Sequence, residues 1–285
     1  MVERRPALAL LAHLVLIAGV VVVAFPVYVT FIASTQTTQD IVTTVPMSLA
    51  PGGHFWDTYR VALFGGVGSY GNKVAPALPM LKVSLLSALF IAVGKIAISL
   101  LSAFAFVYFR FPGRALCFWM VFVTLMLPVE VRIGPTYEVI SNLHLLNSYA
   151  GLSVPLIASA TATFLYRQFF LTVPDELTEA ARIDGAGPLR FFFDMLLPLS
   201  ATSTAALFVI QFIYGWNQYL WPLLVATDAS MYPIVMGINQ MFTGGDAQNE
   251  WSVIMATAML AMGPPALVVL LMQKWFVKGL VDAEK

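Results

Sequence analysis

Charge is scarce in this chain. Only 11% of its 285 residues are Asp, Glu, Lys or Arg, against about 25% in an ordinary soluble domain. That excludes a chain that folds on its own in water. The fifteen basic residues balance the fifteen acidic ones, so no net field exists to draw nucleic acid. Cysteine is all but missing. Cys117 stands alone in an apolar run, which rules out an internal disulfide and a cysteine-based metal site. The three histidines, His13, His54 and His144, are too scattered to share a metal ion. A phosphate-binding loop is missing too. Gly94-Lys95 has Leu89 where the first glycine of that loop belongs and Ile96 in place of Ser or Thr. The sequence therefore shows no nucleotide site and no metal site.

Hydrophobic residues make up 59% of the chain, and the mean hydropathy is +0.83. A membrane-spanning helix needs about 20 mostly apolar residues. Six segments qualify, at roughly 8–31, 80–108, 115 to beyond Pro128, 152–170, 201–225 and 252–276. Pro26 interrupts the first, and Gly263, Pro264 and Pro265 should break the last. The first segment follows Arg4 and Arg5, as in a signal peptide, but its apolar run exceeds the usual 7–15 residues or so, so we read it as an uncleaved span. The expected fold is all-α and polytopic, with six transmembrane helices in one membrane domain over residues 1–285. Ten basic residues fall on one side: Arg4, Arg5, Arg110, Arg114, Arg167, Arg182, Arg190, Lys274, Lys278 and Lys285. The other side receives Arg60, Lys73 and Lys82, with Arg132 if it lies outside. The richer side should be cytoplasmic, which puts both termini inside. The longest outer loop, Ser34 to Pro79, is polar, and reads either as a solvated connector or as a docking surface.

The cytoplasmic loop at 172–198 is the polar anomaly. Thr172 and Asp175 have capping-box spacing. Glu176 and Glu179 suit the first turns of a helix, where the dipole favours negative charge. That helix should stop near Gly185. Pro188 then opens a second helix, with Leu189, Phe192, Phe193, Leu196 and Leu197 on one apolar face and Arg190 and Asp194 as an i, i+4 pair. On physics alone this is equally an amphipathic connector lying in the interface.

Glu179-Ala180-Ala181, followed by Asp184-Gly185-Ala186, Met195 and Leu197-Pro198, resembles the EAA motif of ABC importer permeases. Ile is usual in that family where Met195 stands here. Residues 126–128, Pro135, 166–170, 174–177 and 214–222 extend the resemblance to the carbohydrate, maltose-type permeases. Residues 109–112, 124–133, 159–164 and 279–282 are similar to the glycerol-3-phosphate importers within them. The resemblance implies a bacterial inner-membrane permease that forms half of a translocation pathway worked by alternating access. It also implies a second permease as heterodimer partner, a periplasmic substrate-binding protein and an ATPase dimer that holds ATP and Mg, with no cofactor on this chain. The loop would then be a cytoplasmic coupling helix. Glu179 would contact the ATPase, Ala180 and Ala181 would allow close packing, and Asp184-Gly185 would make the turn. An importer of a glycerophosphodiester, or of a neutral sugar or oligosaccharide, remains open at this point, as do, in other classes, a membrane enzyme and a scaffold.

For an anionic substrate, Glu130 and Arg132 are the natural pathway residues. They lie between Pro128 and Pro135 inside or at the end of a span, and charges in such places mark substrate routes. Arg132 equally suits an ion pair with Glu130, with Glu138 or with a partner subunit. Trp216 and Asn217, in the cluster with Gln218, Tyr219 and Trp221, suit either an interfacial belt or the pathway and permease interface. Lys95, within span two, should face the bundle interior, paired or hydrated, and ranks below Arg132.

Overall fold

The computed structural model describes residues 6–123, 129–242 and 249–282, with side chains over 10–123, 131–242 and 249–275. Helices dominate: α1 (Pro6–Thr35), α2 (Thr38–Thr43), α3 (Phe55–Phe64), α4 (Ala77–Tyr108), α5 (Arg114–Val123), α6 (Val129–Asn142), α7 (Tyr149–Ser153), α8 (Ala160–Phe170), α9 (Asp175–Ile183), α10 (Pro188–Phe191), α11 (Leu197–Leu199), α12 (Ala201–Trp216), α13 (Leu220–Val225), α14 (Ile234–Gln240) and α15 (Trp251–Asp282). One hairpin, β1 (Gly66–Val67) against β2 (Lys73–Val74), is antiparallel, with Gly66 opposite Val74.

Among the described residues, three helices are long and apolar enough to cross a membrane: Leu10–Thr35, Ala77–Tyr108 and Trp251–Trp275. Two bent pairs bring the number to five where each pair is counted as one span. They are Tyr149–Leu156 with Ala160–Phe170, bent by 50°, and Pro188–Leu199 with Ala201–Trp216, bent by 73°. A sixth span is not distinguished among the described residues. The third expected span is represented by α5, whose 10 residues rise about 15 Å against about 30 Å of hydrocarbon, and it meets 124–128 outside the described residues. The fifth expected span divides at Asn217, which caps α12, before α13 resumes. Conversely, α15 runs unbroken through Pro264 and Pro265. Proline forfeits a helical hydrogen bond, yet an apolar environment offers the freed backbone no better partner than a continued helix. Pro26 is likewise absorbed into α1.

Two compact units can be distinguished. In the first, residues 1–79 and 237–263, α1 is bare: every residue from Leu10 to Tyr28 is exposed. A helix apolar all round is stable only where lipid or another protein replaces water. The segment after α1 is folded rather than a bare connector, because Ala62 on α3 packs with Val253 and Ala256 on α15. Glu250 is buried there and accepts the Tyr70 N–H at 2.7 Å, while Thr38 Oγ1 lies 2.9 Å from Ser252 Oγ.

In the second unit, residues 80–236 and 264–285, small residues let helices approach. A Cβ on Gly215 of α12 would lie 3.0 Å from Ala88 Cα on α4. A Cβ on Gly94 would lie 2.7 Å from Ile157 Cγ2. Close backbone approach at small residues is how helices gain packing where apolar solvent removes the hydrophobic drive.

Candidate functional site

The 172–198 segment folds as a helix, a glycine turn and a second helix. Asp175 and Glu176 occupy the first turn of α9. The N-cap, however, is Pro174, with no side-chain cap bond. The capping box from Thr172 does not form, because its hydroxyl donates to the Phe169 carbonyl at 2.7 Å and closes the end of α8 instead. At the far end, Gly185 N–H donates to the Arg182 carbonyl at 3.1 Å and Ala186 N–H to that of Ala181 at 2.8 Å. This paired pattern needs a left-handed residue after the cap, and Gly185 supplies it at φ +72°.

Pro188 opens α10 as expected. Residues Phe192–Leu196 then form a wider π turn, which rotates the face read from a 3.6-residue period. Phe191, Phe192 and Leu196 are buried, whereas Leu189 and Phe193 are exposed. The Arg190–Asp194 pair forms at 3.3 Å but is largely exposed, so it contributes little.

Within the loop, Ala181 is buried while Glu179, Ala180, Asp184 and Gly185 are exposed. Ile183 is exposed as well, at 86%. Sequence reasoning missed Ile183 and Leu189 as surface residues, although two apolar side chains flanking a solvated glycine turn were the available signal. The base of the loop is fixed. Ala181, Phe191 and Phe192 share one core cluster with Phe104 on α4 and Phe170 on α8. The rings of Phe104 and Phe192 are 5.0 Å apart, and those of Tyr108 and Phe191 5.3 Å apart.

Those same two helices wall a cavity of about 540 Å³. Lys95, Ile98 and Ser102, at i, i+3 and i+7, line it from α4. Arg132 on α6, Tyr214 on α12, and Ser159, Thr161 and Thr163 around the start of α8 complete its polar wall. Lys95 is 6% exposed. Its Nζ donates to Gln211 Oε1 at 3.0 Å and sits 3.5 Å from the centroid of the Tyr214 ring. Arg132 is exposed at the cavity, and among the described residues it makes no ion pair with Glu138 or any other carboxylate. The side chain of Glu130 lies outside the described residues.

Trp216 and Asn217 are not brought to this cavity. Trp216 is buried and stacks on Phe212 at 5.8 Å between ring centroids. Asn217 caps α12 through its N–H to the Ile213 carbonyl. The residue of that stretch that does reach the cavity is Tyr214. Lys95 lines the cavity alongside Arg132, and only folding brings Gln211 and Tyr214, three apart on α12, onto it.

Comparisons with known proteins agree along the whole chain. The family model described as "binding-protein-dependent transport system inner membrane component" matches residues 95–282. The sn-glycerol-3-phosphate transport system permease protein UgpE of Pectobacterium atrosepticum is 58% identical, covering all of both chains. Its namesakes in Brucella melitensis and Agrobacterium fabrum are each 59% identical, again over the full lengths. Among solved structures, a bacterial ABC transporter involved in the import of the acidic polysaccharide alginate superposes with a TM-score of 0.80. It covers 97% of this chain and 99% of that one at 17% identity, which speaks to the fold.

Proposed function

The chain belongs to the family of binding-protein-dependent transport system inner membrane components, and from that premise we propose that it carries sn-glycerol 3-phosphate across the membrane. It is a multi-pass inner-membrane permease of an ABC importer rather than an enzyme, and such a permease works with another permease, an ATPase and a substrate-binding protein. The finer assignments are part of the proposal: a heterodimeric permease pair, an ATPase dimer holding ATP and Mg on the cytoplasmic face, a binding protein in the periplasm, and both termini of this chain inside. The observation that carries the substrate is identity near 58% over the full length to permeases named for sn-glycerol 3-phosphate. A cavity with two cations and no carboxylate among its described lining residues is in keeping with it.

The 172–198 loop is the coupling element in this reading. Glu179 and Asp184 offer charge, and Ile183 and Leu189 offer apolar surface, at an exposed turn. A docked ATPase would cover them. Its closure would move α9 and α10, and the aromatic packing at their base would pass that movement to α4 and α8 as a rigid body. These two helices also line the cavity. Alternating access then follows without any chemistry on this chain.

The test is ATP hydrolysis by the complete complex in proteoliposomes, with the binding protein present. Addition of sn-glycerol 3-phosphate should stimulate hydrolysis and drive uptake. Stimulation by a neutral sugar alone would overturn the substrate while leaving the family untouched.

A further inference from the structure

A buried ammonium in a membrane helix is costly unless something compensates it. An acidic partner is the usual solution, and Lys95 has none among the described residues. Its neighbours are instead a neutral amide and a π face. Gln211 Oε1 accepts at 3.0 Å, and the Tyr214 ring lies 3.5 Å beneath the Nζ. Both stabilise a cation without cancelling its charge. A second cation, Arg132, faces the same cavity, and so do the hydroxyl-bearing Ser102, Ser159, Thr161 and Thr163. Asp and Glu are missing from the described lining. Two like charges beside one low-dielectric space repel each other. An anion between them would relieve that repulsion.

We propose that Lys95 and Arg132 form an anion-recognition point in the membrane pathway that takes the phosphate monoester of the transported molecule. The proposal rests on the substrate reading above and names the residues that would enforce it. Arg132 supplies a guanidinium suited to two phosphate oxygens at once. Lys95 supplies a point charge on the cavity face of α4, beside Ile98 and Ser102. Gln211 and Tyr214 are positioning residues that hold the ammonium at the cavity wall. The Ser102, Ser159 and Thr161 hydroxyls are placed to donate to the remaining phosphate oxygens or to a glycerol moiety, whereas Thr163 already donates to the Ser159 carbonyl at 2.9 Å. A neutral polyol offers nothing to offset the two charges and is rejected on that ground.

The experiment uses the complete importer in proteoliposomes, with binding protein and ATP, and reads uptake of sn-glycerol 3-phosphate at several substrate concentrations. Assembly is checked by co-purification of all subunits. Lys95→Gln should lower uptake by about tenfold or more, the scale of one lost charge-assisted hydrogen bond. Lys95→Arg should retain a substantial part. Gln211→Glu keeps the lysine but gives it an internal counter-ion, and should impair uptake much as Lys95→Gln does. The exchange of Lys95→Gln with Gln211→Lys moves the charge by one hydrogen-bond length and should recover part of the activity. Wild-type rates for Lys95→Gln, or for Gln211→Glu, would overturn the proposal. So would equal failure of Lys95→Gln and Lys95→Arg accompanied by loss of assembly, since that marks a purely structural lysine. If the unaltered importer instead transports only neutral sugars, the substrate reading itself fails, which is a separate result.

Discussion

At Gly215 the backbones of α12 and α4 are so close that a Cβ would press on Ala88 Cα at 3.0 Å. The obstacle is main chain, so a helix must shift to admit a side chain. Gly215→Val should therefore destabilise the protein by about 1–3 kcal/mol, seen as a lower Tm of the purified complex in detergent. The displacement would also reach the cavity, because Tyr214 precedes this glycine. Gly185 asks something different of the missing side chain. No atom would meet a Cβ there within 4 Å, yet its φ is +72°. The cost of replacing it is conformational, about 1 kcal/mol for alanine. Gly185→Ala should leave assembly intact and lower uptake per ATP hydrolysed, measured side by side in proteoliposomes. An unchanged ratio of uptake to hydrolysis would show that the turn plays no part in coupling.

Among the elements, α9 was the most legible. Its acidic first turn, its length and its glycine stop are local features, set by dipole, propensity and backbone sterics. The element that follows was legible only in part. A heptad-like pattern put Leu189 and Phe193 on the buried face, and the π turn at Phe192–Leu196 exposed both. Nothing in side-chain spacing announces such a turn, because it forms where Phe191 and Phe192 meet the aromatic rings of Tyr108 and Phe104. The same tension explains α15. Two adjacent prolines read as a stop, but a helix in an apolar environment has no competing water to take its backbone groups. The 50° bend between Leu156 and Ala160 sits where Ser159 caps α8, its hydroxyl accepting the Ala162 N–H at 3.3 Å.

For the whole molecule, the unequal distribution of Lys and Arg predicts which side of the membrane each loop occupies. In a Cys117→Ser background, Ser69→Cys should react with a membrane-impermeant maleimide from the periplasmic side, and Asp184→Cys only from the cytoplasmic side. The reverse pattern would invert the topology and remove the coupling role from the 172–198 loop. Composition and hydropathy by themselves determined that the chain lives in a membrane, that it is helical, and that one polar loop stands apart. Those are properties of transfer from water to hydrocarbon, which each segment expresses on its own. The tertiary structure decided the cavity. Lys95, Arg132 and Tyr214 are far apart in the chain, and no periodicity links them. Their meeting depends on which helix faces touch, through contacts such as Gly94 with Ile157 and Gly215 with Ala88, and those contacts exist only once the helices have packed.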